Sequence, residues 1–252
     1  GRARVTGAGS QWTTTELTVS YDASAIGSFE VADGGKLQIA NPGGNAFVTL
    51  GRDSTAADGT LTVTGSGSSF ILNGVTFNIG SPGRGVFGVL DGASADTTAI
   101  VNINSLSEAH VSGTGSIWST QGGVNSAGIL TVDNGGMLAS NGRVRVQATG
   151  TATIASGGTL SATEVEVFGV GTVGGGGTLS SSGRIWVGGT SGGVLTVAEG
   201  SALRATDPGL GIVIGNGTGT AGTLIIGARA GQAAAAPGAV EAPYVTFEGS
   251  GN

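Results

Sequence analysis

Apolar and polar residues alternate along short stretches of this chain, and many of these stretches end at a pair of glycines. The clearest example is 128–138, where Leu130 and Val132 flank Thr131 and two glycines follow. A period of two predicts a β-strand with one buried face, and the glycines predict a tight turn into the next strand. Leu130 and Val132 are therefore expected to point inward and Thr131 outward.

The same segment recurs at a nearly constant interval. Copies start at Gly128, Gly150, Gly171 and Gly193, which are 22, 21 and 22 residues apart, and an earlier copy spans 27–37. A fixed period near 20 with one strand–turn–strand unit per step is typical of a solenoid. The sequence predicts an all-β chain that forms a single parallel β-helix of about 11 coils. A propeller with blades of about 40 residues is the alternative architecture.

A second motif brings an aromatic residue to the start of a strand. Its form is Val-x-Gly-x-Gly-Ser-x-aromatic, and it occurs at 5–12, 63–70 and 111–118. The glycines permit the left-handed backbone of a tight corner, and the aromatic ring is expected to be buried between stacked coils. Trp12 and Trp118 occupy the same position of this motif, so both are predicted to pack in the core or in a groove.

Stretched spacings between the repeats predict loops that leave the coil. The predicted loops are 51–58, 81–85, 91–98, 206–211 and 229–238, the last being a protruding loop or a single helical turn. Charged loop residues are candidate binding contacts because loops on a rigid scaffold commonly carry function. The candidates are Arg52, Asp53, Asp58, Arg84, Asp91 and Asp96.

Trp186 is the best candidate for an exposed aromatic residue. It lies between Ile185 and Val187 in a strand that ends at Gly188. If both neighbours point inward, the indole points outward, and an exposed aromatic is a candidate for binding. Trp186 therefore joins the candidate binding residues.

Composition narrows the functional classes further. The chain has 252 residues, of which 52 are glycine and only 10% are charged, with no cysteine and a net charge of −6. The 10 Lys and Arg residues form no basic stripe, which argues against nucleic acid as a partner. The absence of cysteine suits export through an oxidising compartment. No linker divides the chain, and we expect one continuous domain over 1–252 that begins within a repeat and is a fragment of a longer protein.

No motif predicts catalysis, a cofactor or a metal site. His110 is the only histidine and is interpreted as a strand residue rather than as part of a Ser-His-Asp triad. Glu164 and Glu166 alternate with valines and are interpreted as a solvated outward strand face rather than as an acid pair for glycan cleavage. The Gly-x-Gly-x-x-Gly matches at 169–174 and 217–222 are followed by strands, whereas a dinucleotide site requires a helix there. We therefore expect no enzyme, no cofactor and no metal.

The repeats resemble those of bacterial autotransporter passenger domains of the self-aggregating and diffuse-adherence adhesin type. The resemblance covers nearly the whole chain and rests on 7–12, 113–118, 128–138 and 185–188, and more specifically on 236–247. Residues 232–252 are similar to the junction towards the last, autochaperone-like coils of such proteins. The resemblance implies a right-handed β-helix, displayed outside the cell and anchored to the outer membrane by a C-terminal β-barrel absent from this chain, or released by cleavage.

The resemblance also implies a role in adhesion, autoaggregation or biofilm formation. The expected partners are protein or glycan molecules of a host cell or matrix surface, or the same protein on neighbouring cells. Loops and outward ladders of Thr, Ser and Asn would make the contacts. A polysaccharide-acting enzyme on the same scaffold and a stalk that carries an N-terminal adhesive tip are the alternatives.

Overall fold

The computed structural model describes residues 1–40, 46–74, 76–189, 191–215, 220–228 and 236–249. In them, three parallel sheets of ten strands each run along the molecule, and every turn of the chain adds one strand to each sheet. This is the predicted all-β, right-handed parallel β-helix, with ten three-strand turns against the roughly 11 expected. Within the described ranges, no helix is long and apolar enough to cross a membrane. Most of the predicted loop at 229–238 and the first half of the glycine motif at 217–222 lie outside the described residues.

Consecutive coils stack their strands in register. The first sheet contains β1 (Arg2–Thr6), β4 (Ile26–Ala32), β7 (Asp58–Thr64), β10 (Arg84–Leu90), β13 (Glu108–Ser112), β16 (Ile129–Asp133), β19 (Thr151–Ile154), β22 (Val170–Val173), β25 (Val194–Val197) and β28 (Thr223–Ile226). The second contains β2 (Gln11–Thr14), β5 (Lys36–Ala40), β8 (Ser69–Asn73), β11 (Ser94–Thr97), β14 (Ile117–Thr120), β17 (Met137–Ser140), β20 (Thr159–Ala162), β23 (Thr178–Ser181), β26 (Ala202–Ala205) and β29 (Ala239–Glu241). The third contains β3 (Glu16–Val19), β6 (Phe47–Arg52), β9 (Thr76–Ser81), β12 (Ile100–Ile103), β15 (Val124–Ser126), β18 (Arg143–Val146), β21 (Glu164–Val167), β24 (Ile185–Val187), β27 (Ile212–Gly215) and β30 (Val245–Glu248).

The glycine pair of the repeat forms the corner between the first and second sheets. In the central copy, Asn134 and Gly135 have φ angles of 50° and 79°, in the left-handed region that Asn and Gly tolerate. The next residue, Gly136, has no room for a side chain, because a Cβ atom there would lie 2.6 Å from the carbonyl oxygen of Val111 in the coil before. The pair therefore combines a turn conformation with a close approach between backbones.

Strand alternation follows the predicted phase. Leu130 and Val132 are 1% and 0% exposed, while Thr131 between them faces outward and is half-buried. Inward residues of all three sheets form one continuous apolar cluster along the molecule. Because each coil covers the next, the core is a column rather than a sphere.

An aromatic cluster fills the column in its N-terminal half. Phe70, Phe77 and Phe87 pack edge to face with centroids 5.0 to 5.8 Å apart, and Trp118 continues the stack 5.0 Å from Phe87. The prediction that Trp118 is buried is confirmed. Among the described residues, its indole nitrogen is the one buried side-chain nitrogen or oxygen without a hydrogen-bond partner. Trp12 also packs on an aromatic ring, Phe29 at 5.2 Å, but it is 44% exposed because its coil has a neighbour on one side only.

The register corrects one copy of the repeat. Ala152 pairs with Gly171 and Thr151 with Val170, so this copy begins at Gly169 and not at Gly171. Gly171 takes an inward position, where a Cβ atom would lie 2.8 Å from the Leu195 side chain. Leu195 fills the space that a larger residue would need, which is why a glycine stands at a core position.

Two of the predicted loops are wrong. Residues 91–98 contain β11, which pairs with β8 and β14, so only a short corner separates it from β10. At 81–85, two residues separate β9 from β10. Loops do leave the coil at 53–57 and at 206–211, as predicted. Parallel pairing on both sides outweighs the weak strand propensity of residues such as Asp96.

Candidate binding face

The seven predicted binding residues do not converge on one site. Asp58 and Arg84 begin strands of the first sheet, Asp96 lies on the second sheet and Trp186 on the third. Asp58, Arg84 and Asp96 are thus strand residues rather than loop residues. Arg52 is the last residue of β6 on the third sheet, and Asp53 and Asp91 lie at corners. The contacts of these three residues are described below.

Arg84 is the centre of a three-residue ion network on the first sheet. Its Nη1 lies 3.2 Å from Asp58 Oδ2, and its Nη2 donates to Glu108 in the following coil. The hydrogen bond to Glu108 raises the pKa of Arg84, and the charges of Asp58 and Glu108 add to this effect against the opposing effect of burial. The three side chains neutralise one another across neighbouring coils, so they are not free charges for a partner.

Arg52 at the end of β6 and the corner residues Asp53 and Asp91 contribute mainly to structure. Asp53 and Asp91 have φ angles of 65° and 54°, and the Asp91 carboxylate accepts a hydrogen bond of 3.0 Å from Thr64. Arg52 lies over the ring of Tyr21, 5.2 Å from its centroid, and 3.4 Å from the Asp53 carboxylate. These contacts explain why charged residues occur at these corners.

Asp96 lies beside a shallow polar groove between the second and third sheets. Two adjoining hollows of about 280 and 310 Å³ make up this groove, and Asn141 lines both. Hydroxyl and amide side chains dominate its lining: Asn73, Thr97, Thr98, Ser119, Thr120, Gln121, Ser140, Asn141, Ser161, Thr163, Ser180, Ser181, Ser182 and Thr206. Neighbouring strands are about 4.8 Å apart, so hydrogen-bonding groups repeat at that interval along the rod.

The third sheet carries an outward row that changes chemistry along the rod. It begins with an amide ladder, in which Asn102 donates to Asn78 at 3.0 Å and Asn125 donates to Asn102 at 3.3 Å. The register then continues the row from Asn125 to Arg145, Glu166, Trp186 and Val213. Neutral amides therefore give way to ionic and aromatic groups on a single face.

Glu166 corrects an expectation from the sequence. It faces outward, as predicted, but it is 2% exposed and not a solvated strand residue. Arg145 donates to its carboxylate from the preceding coil, and Arg143 Nε lies 3.4 Å from the same oxygen. A buried carboxylate requires such partners, because its desolvation would otherwise be costly. Glu164 is similarly paired with Arg184.

Trp186 points outward, as predicted, but it is half-buried by its neighbours. Phe168 packs edge-on at 5.5 Å between centroids, and the Arg184 guanidinium lies 4.6 Å from the indole centroid. The indole nitrogen donates a 2.6 Å hydrogen bond to the carbonyl oxygen of Gly215. The side chain is therefore fixed in one orientation rather than free in solvent.

Beside this indole lies a hollow of about 490 Å³, which we call the Trp186 hollow. Its lining residues come from three successive coils: Arg145, Gln147, Ala148, Phe168, Trp186 and Ser191. The sequence analysis missed all of them except Trp186. A signal was available, because Arg145 and Glu166 are 21 residues apart, one coil length, on strands with the same alternation.

Among the residues that the structure describes, neither the histidine nor the carboxylates form a cluster typical of catalysis. His110 Nε2 lies 2.9 Å from Asp133 Oδ1, and no serine hydroxyl contacts this imidazole within the described ranges. The same part of the chain contains no group of three or more His, Cys, Asp or Glu residues that could hold a metal. Several outward carboxylates are paired with arginines, as at Glu166 and Glu108.

Comparison with known proteins shows a distant likeness to a solved structure. No protein-family model and no curated protein matches the chain. Among solved structures, it is similar to the crystal structure of the TibC-catalyzed hyper-glycosylated TibA55-350 fragment. Sequence identity is 23%, the match covers 96% of this chain and 87% of that one, and the TM-score is 0.31. A likeness at this level assigns the chain to no family.

Proposed function

We propose that this chain is a surface-displayed binding domain, the adhesive passenger of an autotransporter. Its partners are protein or glycan molecules of a host cell or matrix, or the same protein on a neighbouring cell. It works outside a bacterial cell, anchored to the outer membrane through a further part of the protein or released from it. Autoaggregation and biofilm formation are the consequences of such binding.

The observation that carries this proposal is the pair of long polar surfaces along the rod. The outward-facing groups of the polar groove, such as Ser119, Ser161 and Ser180, and the amide ladder from Asn78 to Asn125 offer hydrogen-bonding groups coil after coil. Four further hydroxyl residues of the groove are buried and serve the coil itself: Thr97, Thr120, Ser140 and Ser181. Each such contact contributes about 1 kcal/mol. Many contacts along one rod, and many rods on one cell, add up to a large avidity.

The ion pairs favour binding over catalysis. A glycan-cleaving site requires one carboxyl group as an acid and a second as a base or nucleophile, both facing an open cleft. Glu108 shares Arg84 with Asp58, and Glu166 is covered by two arginines. Carboxylates held in this way stabilise the coil stack and do not face an open cleft as a pair. A polysaccharide-acting enzyme is therefore the second candidate, and a passive stalk is the third.

Among the residues predicted from sequence, Asp96 and Trp186 are the contacts we propose to test first. Asp96 is exposed beside the polar groove, and Trp186 lines a hollow of its own. The other five residues remain proposed contacts at the periphery of a binding surface, because their charged groups already have partners within the chain: Arg52, Asp53, Asp58, Arg84 and Asp91.

Cell display tests the proposal. Cells that display the chain should settle faster or attach better to coated surfaces than cells that carry the same anchor alone. Equal settling and equal attachment would contradict an adhesive role and favour the passive stalk instead. In parallel, the purified chain is incubated with a panel of acidic polysaccharides, and reducing ends are counted. If the chain cleaves a polysaccharide and a single Asp or Glu substitution abolishes this turnover, the proposed function is an enzyme and not an adhesin.

A further inference from the structure

We propose that the Trp186 hollow binds an acidic sugar residue, with Arg145 holding the carboxylate and Trp186 the ring. The proposal rests on the proposed binding function and names a ligand class for it. The hollow has a volume of about 490 Å³, within the range of sites that bind small molecules. Its lining combines one cation, two aromatic rings, an amide and a hydroxyl.

Arg145 is held in position for a carboxylate. Its Nε donates to Glu166, and its guanidinium lies over the Phe168 ring, 5.3 Å from the centroid. These two contacts fix the plane of the guanidinium. Its terminal nitrogens have no hydrogen-bond partner among the described residues, and the side chain is 32% exposed. A fixed, planar guanidinium with unused N–H groups suits a carboxylate, which it can bind through two hydrogen bonds.

The charge around the hollow also favours an anion. Three arginines, Arg143, Arg145 and Arg184, face two carboxylates, Glu164 and Glu166, which leaves one excess positive charge. The chain as a whole has a net charge of −6, so this patch departs from the rest of the surface. Because Glu166 is buried beneath the arginines, its carboxylate does not line the hollow.

The remaining lining groups fit a polyhydroxylated ring. Trp186 provides an aromatic surface for an apolar ring face, and the buried Phe168 ring packs edge-on against this indole. Ser191 already donates its hydroxyl proton to the Phe168 carbonyl at 2.9 Å, so its oxygen is left to accept one from a ligand. The Gln147 amide both donates and accepts. A carboxylate, a ring and hydroxyl donors occur together in a uronic acid, whereas an acidic peptide side chain lacks the ring and the hydroxyls.

Calorimetric titration of the purified chain tests the proposal. The acidic probe is a hyaluronan hexasaccharide, in which glucuronic acid alternates with N-acetylglucosamine, and the neutral probe is the hexamer of N-acetylglucosamine. A hexaglutamate peptide is the third ligand. We expect the acidic sugar to bind at least about tenfold more tightly than the other two ligands. It alone combines a carboxylate for Arg145 with a sugar ring for Trp186, because the neutral hexamer lacks the carboxylate and hexaglutamate lacks the ring.

Variants assign the binding to the hollow. Arg145→Gln should weaken binding of the acidic sugar by about tenfold or more. Arg204→Gln is the matched control, since it removes the same charge from the second sheet, where Arg204 is paired with Glu241, and it should change affinity less than about twofold. If Arg145→Gln disturbs folding, Gln147→Ala and Trp186→Phe test the same hollow, and each should weaken binding several-fold.

Each outcome decides the matter. Equal binding of the neutral sugar, preference for hexaglutamate, no binding of the hyaluronan probe, or loss of affinity in Arg204→Gln equal to that in Arg145→Gln would overturn the proposal. The proposed function fails separately. If displaying cells attach normally while the hexasaccharide does not bind, only the acidic-sugar site is refuted. If the hexasaccharide binds and displaying cells do not attach, adhesion is refuted and the sugar site stands.

Discussion

Leu130 provides the sharpest test of the strand phase on which the coil stack is built. Its side chain is 1% exposed, and its register partners in the two neighbouring coils are Ala109 and Ala152. Leu→Ala changes in cores cost about 2 to 5 kcal/mol, depending on how far the surroundings collapse into the cavity. Two alanines cannot extend into the vacated space, so we expect Leu130→Ala to cost about 3 to 5 kcal/mol.

Leu130→Asp should cost still more, because it adds the desolvation of an unpartnered carboxylate to the lost apolar contacts. The matched control is Thr131→Asp, one residue along the same strand, which faces outward between His110 and Thr153. This change should cost about 0.5 kcal/mol.

Urea denaturation followed by far-ultraviolet circular dichroism measures these differences as shifts of the transition midpoint. Alanine at 130 should lower the midpoint clearly, and aspartate at 131 should leave it close to that of the unchanged chain. If Thr131→Asp proved as damaging as Leu130→Asp, the assignment of Leu130 as inward and Thr131 as outward would be wrong. The register of the first sheet would then be wrong as well, because a slip of one residue turns every side chain to the other face.

Three further predictions concern the ion pairs and the corners. Glu166→Gln should lower the free energy of unfolding by about 2 kcal/mol, because it leaves two arginines without their buried counter-ion. Urea denaturation measures this loss, and an unchanged transition midpoint would contradict the burial of the Glu166 carboxylate. Arg84→Gln should cost at most about 1 kcal/mol, and high salt should reduce the difference, because its pairs are partly exposed; a larger, salt-independent loss would argue against this. Gly51→Ala should lower the melting temperature more than Gly176→Ala does. Both glycines have a positive φ, but a Cβ atom would overlap the carbonyl oxygen of Arg84 at Gly51 and meet nothing at Gly176. Equal melting points would refute the close approach.

Local patterns were sufficient to predict much of the fold. Alternation is a property of one strand, so the inward position of Leu130 and the outward direction of Trp186 follow from the neighbouring residues alone. Turn chemistry is also local, and the Asn134–Gly135 corner is recognisable from its residue types. The parallel β-helix then follows from repetition of such units.

Features that depend on the neighbouring coil could not be obtained in this way. Glu166 is buried because Arg145 lies above it in the preceding coil, and this contact exists only in the true register. One copy of the repeat begins at Gly169 and not at Gly171. The register of a glycine-rich segment is hard to predict when no large side chain marks its core position. The stretched spacing between repeats predicts a loop at Asp96, and only the pairing of Asp96 with Ile71 and Ser119 shows that it lies in a strand.

Binding by the purified chain tests the central claim most directly. The chain is applied to an array of host glycans and matrix proteins that also carries the chain itself. Its retention is compared with that of the Trp186→Ala variant and with that of Thr131→Ala, an outward-facing substitution on a different sheet. An adhesive domain predicts selective retention on at least one class of spot, and the acidic-sugar site predicts that Trp186→Ala loses acidic glycans while Thr131→Ala keeps them. No retention on any spot, including the chain itself, would contradict the account of this rod as a binding protein.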